Sequence, residues 1–193
     1  MAAAIILAGA TDAQADTVKL TTSVYRGGSG GEFTASDYGS APFLNQAANV
    51  RVAPNTFQTF CLEYNEHLSG DTFDYDVSTV AWMGGVSGGS PDPISQETAF
   101  LYHHFWYGTL SNYVAYDFAD ATVKGRIDSA RDLQKAIWAL EGEIAMADIS
   151  GGQKFYDAAV AAVSSGAWTG LGQVRVMNLY RLGTLGQNSA QNV

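Results

Sequence analysis

The sequence predicts an α+β fold, a largely antiparallel β core with a central inserted helical segment of about three helices. Three observations lead there. Apolar residues alternate with a period of two in the first third and again near the end, the pattern of half-buried strands. Through the middle they recur every three to four residues, as on amphipathic helices. The 21 glycines among 193 residues, with many Ser, Thr and Asn, favour turns and strands over a helical bundle. At 47% hydrophobic and 12% aromatic content the chain can bury one core of its own.

The β elements come first. Thr17–Tyr25 reads as a strand, ended by the flexible turn Gly27-Gly28-Ser29-Gly30-Gly31. Ala48–Val52 and Thr56–Tyr64 read as strands parted by the break Ala53-Pro54-Asn55. Within the second, Phe57, Thr59, Cys61 and Glu63 share one face, and Gln58, Phe60, Leu62 and Tyr64 the other. Thr72–Val80 alternates Phe73, Tyr75 and Val77 against Asp74, Asp76 and Ser78, and Gly84–Pro93 reads as a loop.

Helices follow. Ser95 can cap a helix over Gln96–Tyr107, with Gly108 as its stop. Asp128–Ile144 places Leu133, Ile137, Leu140 and Ile144 on one stripe, and Gln153–Ser165 ends at Gly166. Val174–Leu182 returns to strand, and a last strand is expected to begin in the final residues.

Both termini carry expectations about processing. Residues 2–10, Ala-Ala-Ala-Ile-Ile-Leu-Ala-Gly-Ala, are followed by the A-x-A site Ala13-Gln14-Ala15. Residues 1–15 are therefore expected to be the remnant of a signal peptide without its basic start, and residues 16–193 a single domain, secreted or held at the cell surface. The apolar run is too short to span a bilayer, and no second segment is long enough. At the other end, Gln191-Asn192-Val193 falls inside an apolar strand, so the chain is expected to be truncated there, with any anchor beyond. A net charge of -9 without a basic stripe argues against nucleic acid and anionic lipid as partners.

Cys61 stands alone in a chain expected to be exported, where cysteines normally pair. It reads as a reactive thiol, an intermolecular bridge or an unusual bond, against the plainer reading of an inert core residue. Gln134, Ile137, Trp138 and Glu141 are spaced to share one helix face. If Gln134 is buried, its amide must be hydrogen-bonded. His103 and His104 are adjacent and face different sides, poor geometry for one metal. Asp71, Asp74 and Asp76 with Glu63 and Glu66 match no calcium loop, and the glycine runs lack the residues of a phosphate cradle. Neither metal nor cofactor is expected. A hydrolase pairing Cys61 with a histidine has no nucleophile motif behind it.

Phe60-Cys61-Leu62 resembles the aromatic–Cys–apolar motif of bacterial thioester domains, and Leu133-Gln134-Lys135-Ala136-Ile137-Trp138 resembles that family's Thr-Gln-x-x-apolar-Trp motif, with Leu133 where the family has Thr. Its third motif, apolar–Gln–Ser/Thr–apolar, is most nearly matched by Ala190-Gln191-Asn192-Val193, with Gln187 a poorer match. The resemblance spans roughly residues 56 to 193. It implies a bond between the Cys61 sulfur and a glutamine side-chain carbonyl, with loss of ammonia. By motif order the acyl donor would be Gln191, with Gln134 holding the site by hydrogen bonds and Phe60, Tyr64, Trp138 and His67 forming the pocket. Gln134, Tyr64 and His67 are the candidates for stabilising a developing oxyanion. An amine of a partner, a protein or another amine-bearing surface ligand, would open the bond and leave an isopeptide-type cross-link, a single-turnover acyl transfer rather than enzyme catalysis. The chain's general style is also similar to exported Gram-negative proteins that end in a Pro-Glu-Pro sorting tail, though no such tail is in the sequence.

Two other classes compete. One is a non-covalent structural or adhesive extracellular protein with Cys61 as an unreactive core residue. The other is a carbohydrate-binding module built on the ten tyrosines and four tryptophans, although those aromatics follow the periodicity of core packing.

Overall fold

The structure, a computed structural model, describes residues 3–7, 16–36, 45–67, 72–86, 89–119 and 124–185. Six strands form one antiparallel sheet in the order β1 (Ala3–Leu7), β8 (Val174–Tyr180), β5 (Thr72–Ser78), β2 (Asp16–Gly27), β3 (Gly30–Ser36), β4 (Phe57–Thr59). A short ribbon of β6 (Val80–Ala81) and β7 (Asp92–Pro93) stands apart. Three helices lie between β7 and β8 in sequence: α1 (Gln96–Trp106), α2 (Lys124–Leu140) and α3 (Gln153–Ser164). The architecture is the α+β arrangement read from the sequence.

The two outer strands of the sheet meet. Ile5 N–H donates to Phe60 O at 3.3 Å and Leu62 N–H to Ala3 O at 3.0 Å, with a bridge between Ala4 and Cys61. Thr59 adds a hydroxyl donation to Ile5 O. The sheet thereby closes on itself, which removes two free edges at once. β1 lies within the stretch expected to be a leader, and Ile5 and Ile6 are fully buried there. Cleavage after Ala15 would take this strand away.

Several boundaries depart from the sequence reading. The glycines after Tyr25 make a tight hairpin, with Gly28 at φ +64, and the chain returns at once as β3, a strand the composition concealed. Ala48–Val52 is not a strand. Its backbone turns back on itself, Val50 N–H reaching Ala47 O at 2.9 Å, and Arg126 takes the carbonyls of Asn49 and Val50. β-branched propensity here yields to a buried cation that needs acceptors. α1 begins under the expected cap, Ser95 Oγ accepting from Thr98 N at 3.1 Å. α2 starts and stops about one turn earlier than its apolar stripe suggested, and Gly142 at φ +76 ends it. The strand expected in the final residues lies outside the described residues.

One ion pair joins most of these pieces. Glu32 on β3 and Arg126 on α2 are both buried and meet in a two-pronged contact, Nε to Oε1 and Nη2 to Oε2, each 2.9 Å. Tyr116 hydroxyl and Gln58 Nε2 also donate to the carboxylate, at 2.7 and 3.0 Å. The guanidinium donates further to the carbonyls of Asn49 and Phe118 and stacks over the Tyr25 ring at 3.8 Å. A buried pair stabilises only when its remaining donors and acceptors are filled, as they are here. Among the described residues no helix is long and apolar enough to cross a membrane.

Removing one partner leaves a buried charge without its counterpart. Glu32→Gln and Arg126→Met are each expected to lower unfolding free energy by about 3–5 kcal/mol. Urea denaturation measures this, and a loss near zero would contradict the role given to the pair.

Candidate functional site

The segment carrying Cys61 is held on both sides by a mixture of strand and side-chain bonds. Phe57 and Thr59 pair with β3 through Ala35 and Phe33. On the opposite side, the Gln46 side chain does what a neighbouring strand would do: its Nε2 donates to Gln58 O at 3.0 Å and its Oε1 accepts from Gln58 N at 2.8 Å. Tyr102 hydroxyl also donates to Gln58 O.

At Cys61 the pattern repeats with another glutamine. A continued β3–β4 ladder would set Gly31 opposite Cys61, but Gly31 turns away at φ +124 to pair with Arg26. Gln134 takes the vacant place. Its Nε2 donates to Cys61 O at 2.7 Å, and its Oε1 accepts from Cys61 N at 3.1 Å. Gln134 is fully buried, so its amide is satisfied by these bonds as burial requires. Gly30 makes room: a Cβ there would lie 2.6 Å from Gln134 Cγ and 2.9 Å from Trp138 Cη2.

The thiol itself is quiet. Cys61 is 9% exposed, and its Sγ–H donates to Glu63 O at 3.1 Å. Burial pushes its pKa far above that of an ordinary thiol, and the Glu63 carboxylate adds to the rise. The protonated form dominates near neutral pH, which argues against a Cys/His hydrolase, whose nucleophile needs a thiolate. Glu63, also buried, accepts from Ala3 N at 2.9 Å, and its pKa is raised well above the usual carboxylate range, first by burial and then by Glu66. Burial raises that of Glu66 too.

A cavity of about 370 Å³ opens beside the thiol. Cys61, Glu63, Tyr64, Glu66, His67 and Trp138 line it, with Arg26 at the β2–β3 hairpin. Tyr64 and Trp138 meet edge to face at 4.9 Å between ring centres. Trp138 is 4% exposed, and its Nε1–H has no acceptor among the described residues. Cys61, Gln134, Tyr64, His67 and Trp138 are therefore brought together. Phe60 turns the other way and packs edge-on against Phe105 of α1, 4.9 Å between centres. Gln187 and Gln191 lie outside the described residues.

Sequence reasoning missed Glu143, just past the end of α2. Its two oxygens accept from Tyr64 N at 2.8 Å and Val86 N at 2.7 Å, tying the cavity wall to the loop beyond β6. No spacing signal marks such a residue, because both partners are distant backbone groups. Gln46 and Gly30 were equally silent. Among the described residues no three His, Cys, Asp or Glu side chains converge to hold a metal ion. His103 and His104 belong to a separate aromatic cluster with Phe100, Tyr113 and Trp168. Asp76 accepts from Asn178 and Tyr180, and Asp74 from Gly183 N, so both serve the β5–β8 side of the sheet.

No protein-family model, curated protein or solved structure matches this chain.

Gln134→Ala strands the Cys61 N–H and C=O in the interior. A cost of about 1–3 kcal/mol per stranded group is expected in urea unfolding. Gly30→Ala should lose stability too, by pushing Gln134 aside, and an unaffected Gly30→Ala would count against the clamp.

Burial, with His103 adding, lowers the His104 pKa to about 4 from the usual 6.5. The unfolded chain then binds the extra proton first, so this group's contribution to stability falls as pH drops from 6.5 towards 4. The raised carboxylates Glu63 and Glu66 act in the opposite sense, favouring the fold as pH falls. Their effect cancels in a comparison of the natural chain with His104→Gln. The stability difference between the two should shift against the natural chain on acidification, and a pH-independent difference would refute the assignment.

Proposed function

We propose that this chain is an extracellular thioester domain that captures an amine-bearing partner through a bond between Cys61 and a glutamine side chain, with Gln191 the acyl donor. The observation that carries the reading is the double hydrogen bond from the Gln134 amide to the backbone of Cys61. The two residues that the motif resemblance pairs, 73 positions apart, lie in direct contact, buried, at the wall of a cavity.

The chemistry follows from that setting. The Cys61 thiol adds to the carboxamide carbon, the C–N bond breaks, and ammonia leaves with the thiol proton. The product is a neutral thioester, which a desolvated pocket tolerates far better than it tolerates a thiolate. The same burial makes Cys61 a poor leaving group, since thiols of high pKa depart slowly, and so protects the bond from water. A partner's amine then attacks the acyl carbon, the C–S bond breaks, and an amide remains with Cys61 restored as a thiol. Each molecule turns over once. Secretion or surface display fits a domain whose unpaired cysteine is consumed in a bond.

A second reading is favoured by one observation. The Cys61 Sγ–H is already hydrogen-bonded to Glu63 O at 3.1 Å, as in an inert core thiol, and the domain would then be a structural or adhesive protein that binds without a covalent bond.

Intact-mass measurement separates the two. The thioester form should weigh about 17 Da less than the sequence mass, should take up methylamine, and should lose both properties in Cys61→Ser. A full-mass chain inert to methylamine would favour the structural reading.

A further inference from the structure

We propose that the outward face of α1 binds a neutral oligosaccharide, the rings of Tyr107, Tyr113 and Trp168 taking the C–H face of a pyranose while His103 and His104 take its hydroxyls. The face is separate from the Cys61 cavity, so the proposal stands apart from the thioester reading.

α1 is aromatic on both sides. Its inward stripe, Leu101, Tyr102, Phe105 and Trp106, is buried in the core. A helix at a protein surface normally turns polar, solvated side chains outward. Here the outward positions carry His103, His104 and Tyr107, and two rings from elsewhere join them. Tyr113 follows the short turn after the helix, and Trp168 lies beyond α3. Ring centres are 4.9 Å apart for Tyr107–His103 and for His103–Trp168, 5.0 Å for His103–His104 and 4.2 Å for His104–Tyr113. The rings thus form one unbroken band, backed by buried Phe100. Tyr113 is 55% exposed and Tyr107 37%, with the other members of the band half-buried.

The band is held in place by its polar edges. Trp168 Nε1–H donates to Gly170 O at 2.9 Å, and Gly170 N–H donates to Gln96 Oε1 at 2.6 Å, which ties the loop to the first turn of α1. Tyr107 hydroxyl donates to Gln173 Oε1 at 3.4 Å. Rings fixed beforehand lose little freedom when a ligand arrives.

The imidazoles point to the class of ligand. Thr109 hydroxyl donates to His104 O at 3.3 Å, so in its 3.0 Å contact with His104 Nδ1 the ring is the donor, and a neutral ring then has a bare Nε2. His103 Nδ1 is buried without a partner among the described residues. A buried donor is left unpaired more rarely than a buried acceptor, which puts the His103 proton on Nε2. Among the described residues neither Nε2 is hydrogen-bonded. The two rings therefore offer one donor and one acceptor side by side, and neighbouring sugar hydroxyls can each give and take. Both imidazoles are neutral near neutral pH: burial lowers the pKa of His103, and burial with His103 beside it lowers that of His104 to about 4. An anion meets no cation in this band. An apolar partner surface would bury two ring nitrogens without partners. A neutral polyhydroxylated ring satisfies both the nitrogens and the aromatic faces.

The natural chain is titrated with neutral hexasaccharides of glucose, mannose and N-acetylglucosamine, and with polygalacturonate fragments of the same length, while histidine-ring and indole resonances are followed by NMR. At least one neutral hexasaccharide should bind saturably below about 10 mM and move the His103, His104 and Trp168 signals. Trp168→Ala and Tyr113→Ala should each weaken it about tenfold, and Tyr113→Ala, at the most exposed ring, keeps the test valid if Trp168→Ala does not fold. His104→Phe keeps an aromatic ring and removes the acceptor, so it should weaken the sugar by a similar factor, whereas a merely apolar contact would be unaffected. No saturable binding of any neutral probe, equal or tighter binding of polygalacturonate, or binding that Tyr113→Ala leaves unchanged overturns the site. Undiminished binding in His104→Phe overturns the role of the imidazoles. Self-association of the natural chain that Tyr113→Ala abolishes would give the band to a second copy and overturn the sugar site as well.

Discussion

The buried contact between Glu32 and Arg126 is the constraint on which the other parts depend. A carboxylate at the start of β3 and a guanidinium near the start of α2 are both out of water, so each must find every partner within the protein. Meeting that demand fixes the turn at residues 47–50, orients the Tyr116–Phe118 segment, and brings Gln58 of β4 to the same carboxylate. Once α2 is fastened at Arg126, two further turns along the same helix carry Gln134 to Cys61. The ion pair touches no candidate reacting group, yet it fastens to β3 the helix that carries Gln134.

The second principle of the molecule is the use of carboxamides as pieces of strand. A side-chain amide carries one donor side and one acceptor in a plane, like a peptide group, and can complete a ladder where no strand passes. Gln46 does this at Gln58 and Gln134 does it at Cys61, on opposite sides of the same segment. Cys61 thus sits in extended backbone that is fully bonded without a close-packed neighbour strand on the Gln134 side. That leaves space for a cavity against a residue that is itself immobilised, a combination a regular sheet does not offer.

Much of the fold was legible because the signals were periodic. The stripe through Leu133 and Ile137, the cap at Ser95 and the alternation that buries Phe73 and Tyr75 each report one local preference, and the structure keeps them, although Val77, expected on the same buried face, is exposed. Where the chain obeys a distant demand, the sequence misled or stayed silent. The apolar turn before Arg51 looks like a strand until the needs of Arg126 are known, and β3 hides behind a run of glycines that make the hairpin turn and, at Gly30, allow close approach to Gln134 and Trp138. Of the site, the pairing of Cys61 with the Gln134–Trp138 face could be read from motif and spacing. The acids Glu63 and Glu143 and the backbone partners they hold could not, because nothing local in their spacing marks them.

The closing strand has one more consequence. Five residues from the chain start fill a slot bounded on one side by β8 and on the other by the backbone of Phe60 and Leu62. Such a slot is about one strand wide, so withdrawing its occupant exposes two rows of unsatisfied peptide groups and a strip of oily interior together. Solvent is a poor replacement there; another extended segment, from this molecule or from a neighbouring one, is the natural substitute. Trimming the first residues would therefore do more than shorten the protein: it would turn a sealed wall beside the lone sulfur into a vacancy that recruits polypeptide.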